Sequence, residues 1–136
     1  MKPILSYFLC LVLLFSGISC VKKFNWPTKK APTLPSIQGL WVGTYLAESA
    51  PNQPPYYFSF NIQPGGVLSV QAQSPTDTTF ATGTWTLSGD TLQCNYTYVS
   101  PAVAQSATAI YISADSLTSG VWQDIYNSGT FSMGRK

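Results

Sequence analysis

The sequence offers few side chains that could act in catalysis or hold a metal ion. It contains no histidine, which is the commonest general base near neutral pH and a common metal ligand. The remaining candidates are three cysteines and five carboxylates: Cys10, Cys20, Cys94, Glu48, Asp77, Asp90, Asp115 and Asp124. Three of these, Asp77, Asp90 and Asp115, fall in turn-forming sequences, where Asp side chains bond their own backbone. We therefore expect no enzyme activity, no catalytic residue, no metal site and no cofactor.

Of the three cysteines, Cys20 is the one whose neighbouring sequence indicates a covalent modification. Lys2 makes the N-terminus of the chain positively charged, and the apolar run at 4–15 is too short to span a bilayer. Ser19 is a small residue directly before Cys20. The segment resembles a lipoprotein signal peptide, in which the Cys thiol is acylated before cleavage. Gly17 departs from that pattern, and ordinary signal peptidase would cut the same bond. We predict a signal peptide at 1–19 and lipidation of Cys20.

Residues 20–36 are predicted to form a tether. Four lysines and three prolines lie in this stretch: Lys22, Lys23, Lys29, Lys30, Pro27, Pro32 and Pro35. Such a composition buries little apolar area and stays extended. The lysines either contact anionic lipid headgroups or only keep the linker solvated. We expect an exported protein anchored by its N-terminal lipid in the cell envelope, at the outer membrane.

Residues 37–136 are predicted to form the single folded domain. This part carries Arg135 and Lys136 against five acidic residues, a net charge of −3. Nucleic-acid binding requires a basic face that neutralises phosphates. The charge balance therefore excludes a nucleic-acid partner.

The hydrophobic pattern of the domain is typical of β-strands. Residues 56–62 and 68–72 alternate around Pro64-Gly65-Gly66, and residues 81–87 and 92–98 alternate around Ser88-Gly89-Asp90, which predicts two hairpins. Further strands are predicted at 39–46, 107–113, 117–123 and 129–135. The fold class is therefore all-β, with about eight antiparallel strands in an up-and-down barrel. A β-sandwich is the alternative, disfavoured because the loop at 100–105 is the one extended connection after residue 56.

The first strand, Gly39-Leu40-Trp41, resembles the Gly-x-Trp start of lipocalins and related calycin barrels. The resemblance spans residues 37–136 and extends to Arg135, since lipocalin-type barrels often place a basic residue of the last strand against that Trp. It implies structural roles for Gly39, Trp41 and Arg135. It also implies a small hydrophobic ligand held in the barrel. The chain is similar to the short lipocalin-like domains of envelope lipoproteins.

Five aromatic residues of the predicted strands face inward, where they either fill the barrel as its core or line a ligand pocket: Phe58, Phe60, Trp85, Tyr96 and Tyr98. If they line a pocket, the first function hypothesis is a lipid-anchored, non-catalytic barrel that binds a small apolar or amphipathic ligand. The alternative is a solid barrel that acts as a protein- or glycan-interaction subunit of the envelope through its outer face or loops. Cys94, on an apolar strand face, is expected to be a buried inert thiol, unless an unlipidated Cys20 pairs with it.

We predict that Cys20→Ala yields unprocessed or soluble protein, because the acceptor of the acyl chains is lost. Cell fractionation and intact mass spectrometry of the mature chain measure both effects. A wild-type mature chain without acyl groups would show that Cys20 is not lipidated.

Overall fold

The computed structural model describes residues 35–76 and 80–136. The predicted signal peptide, Cys20 with nearly all of the tether, and Asp77 lie outside these residues. Eight strands follow in chain order: β1 (Gly39–Ala47), β2 (Tyr56–Ile62), β3 (Val67–Gln73), β4 (Phe80–Ser88), β5 (Thr91–Tyr98), β6 (Ala104–Ser113), β7 (Ser116–Gln123) and β8 (Ser128–Arg135). A 3-10 turn at Pro64–Gly66 joins β2 to β3. No helix in the described part of the chain is long and apolar enough to cross a bilayer.

The eight strands form one closed barrel. Each strand pairs antiparallel with the next, and β8 returns to pair with β1 from Trp41 opposite Arg135 to Ala47 opposite Gly129. This confirms the predicted all-β up-and-down barrel and rules out the sandwich. One predicted boundary is wrong: β6 begins at Ala104, so Gln105 lies in a strand opposite Tyr96. The stretch Ala104–Ser106 lacks the apolar alternation that would have predicted a strand.

Glycines facing the barrel interior let neighbouring strands approach each other closely. They are Gly43, Gly83, Gly120 and Gly129. A Cβ atom at Gly129 would overlap the carbonyl oxygen of Leu46 on β1 and lie 2.7 Å from Nε1 of Trp122. A Cβ atom at Gly83 would overlap the carbonyl oxygen of Asn95 on β5. Any larger residue at these positions would push the strands apart, so the tight curvature of the barrel depends on glycine.

The middle of the barrel is filled with side chains. The largest of them are at most 5% exposed: Trp41, Phe58, Phe60, Leu68, Leu92, Tyr96, Tyr111, Leu117, Phe131 and Met133. The rings of Phe58 and Phe60 meet edge-on with centroids 4.9 Å apart, and Phe131 lies 5.5 Å from each. Edge contacts of this kind add about 0.5–1.5 kcal/mol to the effect of burial. The centre is therefore a hydrophobic core of packed aromatic rings.

The chain enters the barrel at an end that is closed by Trp41. This ring is fully buried, and its Nε1 donates a hydrogen bond to the carbonyl oxygen of Ile37 at 2.8 Å. Tyr111 meets the Trp41 ring edge-on at 5.8 Å and donates its hydroxyl to the carbonyl oxygen of Pro35 at 2.8 Å. The segment leading into β1 is thus fixed across this end, which we call the closed end.

Arg135 covers the outside of the same ring. Its guanidinium carbon lies 4.6 Å from the centroid of Trp41, close enough for a cation–π interaction. Its Nη1 and Nη2 donate to the carbonyl oxygens of Gln38 at 2.7 Å and Ser36 at 2.6 Å. Gly39 has φ +139°, and a Cβ atom there would lie 3.0 Å from Nη1 of Arg135. Gly39, Trp41 and Arg135 therefore meet at the closed end and hold the first and last strands together.

We expect Gly129→Ala to lower the free energy of unfolding by about 3 kcal/mol, because the added methyl group forces β8 away from Leu46 and Trp122. Gly134→Ala is the matched control on the same strand, since its Cβ would meet nothing closer than the Asp115 carbonyl oxygen at 3.6 Å. That change should cost less than about 0.5 kcal/mol. Urea unfolding of the full chain measures both values, and equal losses would contradict the role given to close strand approach.

Candidate functional site

The end opposite Trp41 contains a small cavity. The connections that follow β1, β3, β5 and β7 gather here. The cavity has a volume of about 60 Å³ and is lined by Tyr45, Phe58, Tyr98, Gln105 and Trp122. A wider cleft of about 210 Å³ shares Tyr98 and Gln105 with it and extends to Asp124 and Tyr126. We call the cavity and this cleft together the open-end site.

Aromatic rings in different planes form the walls of the cavity. Tyr45 meets Trp122 at a centroid distance of 5.6 Å and an angle of 89°, and it meets Phe58 at 5.3 Å and 60°. On its other side Tyr45 stacks on Tyr56 at 5.4 Å. Nε1 of Trp122 donates to the carbonyl oxygen of Leu46 at 3.2 Å, which ties this ring to β1. The walls are therefore held by packing and by the backbone of the barrel.

A carboxylate held by three hydrogen bonds lies beside the cavity. Asp124 Oδ2 accepts a hydrogen bond from Nε2 of Gln105 at 2.8 Å. Asp124 Oδ1 accepts from the backbone N–H of Tyr126 at 2.7 Å and of Asn127 at 2.8 Å. The same side chain thus shapes the turn between β7 and β8 and orients the amide that lines the cavity.

The tyrosines around the cavity are held in their neutral form. Burial raises the pKa of Tyr98, and the neighbouring Tyr45 and Asp124 raise it further. The pKa of Tyr45 is raised by burial and by Tyr56. Burial is also the main cause of the raised pKa of Tyr96, deeper in the barrel. The open-end site therefore presents protonated hydroxyl groups near neutral pH.

The five aromatics predicted as core or pocket are divided among three parts of the barrel. Phe58 and Tyr98 line the cavity. Phe60 and Tyr96 are buried in the core, with ring centroids 6.0 Å apart. Trp85 lies half-buried towards the closed end, where its Nε1 donates to the carbonyl oxygen of Gln63 at 2.8 Å. They do not line one common pocket.

The residues of the open-end site that were not among the predicted site residues include Tyr45, Gln105, Trp122 and Asp124. The inward alternation of β1 from Trp41 could have identified Tyr45. The sequence Gly120-Val121-Trp122, which repeats the Gly-x-Trp spacing of β1, could have identified Trp122. Gln105 was missed because its segment was predicted as a loop. The predicted strand start at residue 107 left Gln105 outside the hairpin of β6 and β7. In the structure Ser106 lies opposite Gln123, which puts Gln105 beside Asp124 in the turn that follows β7.

Cys94 is a buried free thiol, as expected from its place on an apolar strand face. It is 1% exposed, and burial raises its pKa to about 12. A thiol with such a pKa forms almost no thiolate near neutral pH, and the thiolate is the nucleophile. The alternative pairing with Cys20 concerns a residue outside the described part of the chain.

We predict that Tyr96→Phe leaves stability unchanged or raises it by about 1 kcal/mol, because the buried Tyr96 hydroxyl has no hydrogen-bond partner among the described residues. Tyr111→Phe is the matched control. It removes a buried-ring hydroxyl that bonds Pro35 and should cost about 1 kcal/mol. Thermal or urea unfolding of both variants distinguishes the two cases. An equal loss in both would mean that the Tyr96 hydroxyl is bonded in the folded protein.

No protein-family model matches the chain, and no curated protein shows significant sequence similarity to it. The function is therefore inferred from the barrel and from its open-end site, both of which consist of residues of this chain.

Proposed function

We propose that the protein is a lipid-anchored, lipocalin-like envelope protein that binds a small amphipathic ligand at the open end of its barrel, without catalysis. The observation that carries this proposal is the aromatic-walled cavity that continues into a polar cleft. Ligand sites commonly combine apolar walls with a few polar groups that fix orientation. Tyr45, Phe58, Tyr98 and Trp122 supply the walls, while Gln105 and Asp124 supply the polar groups.

The ligand is expected to insert only a small group. A volume of about 60 Å³ is that of about two water molecules, each of which occupies roughly 30 Å³. Phe58, Phe60 and Phe131 fill the barrel directly below it. The rest of the ligand would lie in the cleft of about 210 Å³ beside Asp124 and Tyr126. This differs from a barrel that encloses its ligand.

The chain enters the barrel at the end opposite the open-end site. Pro35 and Ser36 are bonded at the closed end, by Tyr111 and Arg135. A lipid on Cys20 would therefore be joined to the barrel through its closed end. The open-end site lies at the opposite end, where it is accessible to a ligand from the surrounding compartment.

A second candidate function, contact with another envelope protein, is favoured by the turn between β7 and β8. Ile125 and Tyr126 are each 81% exposed, although the hydrogen bonds to Asp124 hold the turn rigid. Large apolar side chains on a rigid turn lose little freedom on binding, which favours their use as interface anchors. An open groove of about 570 Å³ lies beside them on the outer face of β4–β7, with hydroxyl and amide side chains along it.

The ligand proposal is tested by ¹⁹F NMR of the full chain labelled with 5-fluorotryptophan, in nanodiscs of phosphatidylglycerol. The probe is 1-hexanol, a small neutral amphiphile. We expect the resonance of Trp122 to shift on titration while those of Trp41 and Trp85 stay in place. Tyr98→Leu should weaken this response at least about fivefold, since it removes one wall of the cavity.

Tyr57→Leu serves as the control, because Tyr57 is on β2 but points away from the barrel interior. A titration in which Trp122 does not move would overturn the ligand proposal. The second candidate is tested by cross-linking the chain in the cell envelope. It would be favoured if the probe does not shift the Trp122 resonance and if changing both Ile125 and Tyr126 to Ser abolishes a cross-link to another envelope protein.

A further inference from the structure

We propose that the group inserted into the cavity of the open-end site is a small alkylammonium cation. This inference rests on the proposed function and specifies the chemical class of its ligand. It is carried by the aromatic walls, by the carboxylate beside them and by the distribution of charge between the two ends of the barrel.

The walls of the cavity form an aromatic cage. Four of its five lining residues are aromatic: Tyr45, Phe58, Tyr98 and Trp122. Tyr45 stands nearly perpendicular to Trp122 and is inclined by 60° to Phe58, so the rings surround the cavity in different planes. Ring faces are electronegative and attract a cation within about 6 Å of the centroid, and such cages recognise quaternary ammonium groups. A neutral apolar group would fill the same space without this attraction.

The formal charge at the open end has the sign that a cation requires. Asp124 is bonded to Gln105, which lines the cavity, and Asp124 itself lines the adjoining cleft. Glu48 lies at the same end, where its Oε2 accepts a hydrogen bond from Ser128. Burial and the nearby Asp124 also raise the pKa of Tyr98, which keeps its hydroxyl neutral. The cage thus presents neutral phenols, and Asp124 supplies a negative charge in the adjoining cleft.

The basic residues of the described chain lie at the other end of the barrel. Arg135 bonds the carbonyl oxygens of Ser36 and Gln38, and the backbone N–H of Lys136 donates to the carbonyl oxygen of Leu40 at 2.9 Å. A carboxylate or phosphate headgroup in the cage would therefore meet no basic side chain among the described residues and would lie near Asp124. Like charges oppose binding, so the site discriminates against anionic amphiphiles.

The size of the cavity sets the size of the headgroup. A space of about 60 Å³ holds one or two methyl groups of an alkylammonium ion, with the nitrogen and its other substituents at the mouth of the cavity and in the cleft. Gln105 and Tyr98 belong to both the cavity and the cleft, so a polar substituent next to the ammonium would meet hydrogen-bonding groups there. Choline has this combination of a compact cation and a neighbouring hydroxyl, which makes it a suitable probe.

The experiment compares choline with 3,3-dimethyl-1-butanol, which has the same shape but no charge. The full chain, labelled with 5-fluorotryptophan in phosphatidylglycerol nanodiscs, is titrated with each while the Trp122 resonance is followed. We expect choline to bind about tenfold more tightly than the neutral analogue. Equal affinities would overturn the cation proposal and leave the proposed amphiphile site intact. If neither compound moves Trp122, the cage does not bind a group of this shape, and the proposed function fails with the inference.

Variants separate the contributions of the cage and the carboxylate. Asp124→Asn keeps an oxygen to accept the backbone hydrogen bonds of the turn, but it removes the negative charge and the oxygen that accepts from Gln105. It should therefore weaken choline about fivefold more than it weakens the neutral analogue. Tyr98→Phe keeps the ring and should retain choline binding, whereas Tyr98→Leu should lose it. Equal loss of both compounds in Asp124→Asn, or retention of choline in Tyr98→Leu, would contradict the assigned chemistry.

Discussion

The close approach of neighbouring strands at inward-facing glycines is the constraint on which the rest of the structure depends. At Gly43, Gly83, Gly120 and Gly129 the space of a side chain is taken by an adjacent strand. A barrel curved this tightly has a narrow interior, which the rings of Phe58, Phe60 and Phe131 fill. Because the core occupies the middle, any pocket of the barrel must lie near one of its ends. The open-end site is thus a consequence of how the barrel closes.

The two ends differ because the chain uses them differently. At the closed end Trp41, Tyr111 and Arg135 satisfy the polar groups of the segment that precedes β1 and leave a sealed surface. At the open end the aromatic rows of β1, β2 and β5 come to a stop, and the ring beyond Tyr45, Phe58 and Tyr98 is the exposed Tyr56, which stacks on Tyr45. Rings that would be core in a longer barrel therefore become the walls of a cavity.

The net charge also differs along this axis. At the closed end Arg135 and Lys136 offset Asp90 and Asp115, whose turns follow β4 and β6, whereas Glu48 and Asp124 at the open end meet no basic side chain among the described residues. In a small domain with few charged residues, the position of each charge affects which ligands bind, because few neighbouring charges offset it. Asp124 has two roles here, since it rigidifies the turn with Ile125 and Tyr126 and also orients Gln105. A single side chain thus connects the two surfaces for which functions are proposed.

The sequence by itself determined the fold class, the strand count and most strand boundaries, because a period of two and the turn residues are local properties of the chain. It also identified the aromatics that face inward and the absence of histidine. It did not distinguish core from pocket among Phe58, Phe60, Trp85, Tyr96 and Tyr98, because all five share the same alternation. Only the tertiary structure decided this, since burial depends on how far along the barrel each strand position lies. The pairing of Gln105 with Asp124 likewise required the observed register of β6 and β7, which sets Ser106 opposite Gln123 and so brings Gln105 within hydrogen-bonding distance of the turn that follows β7.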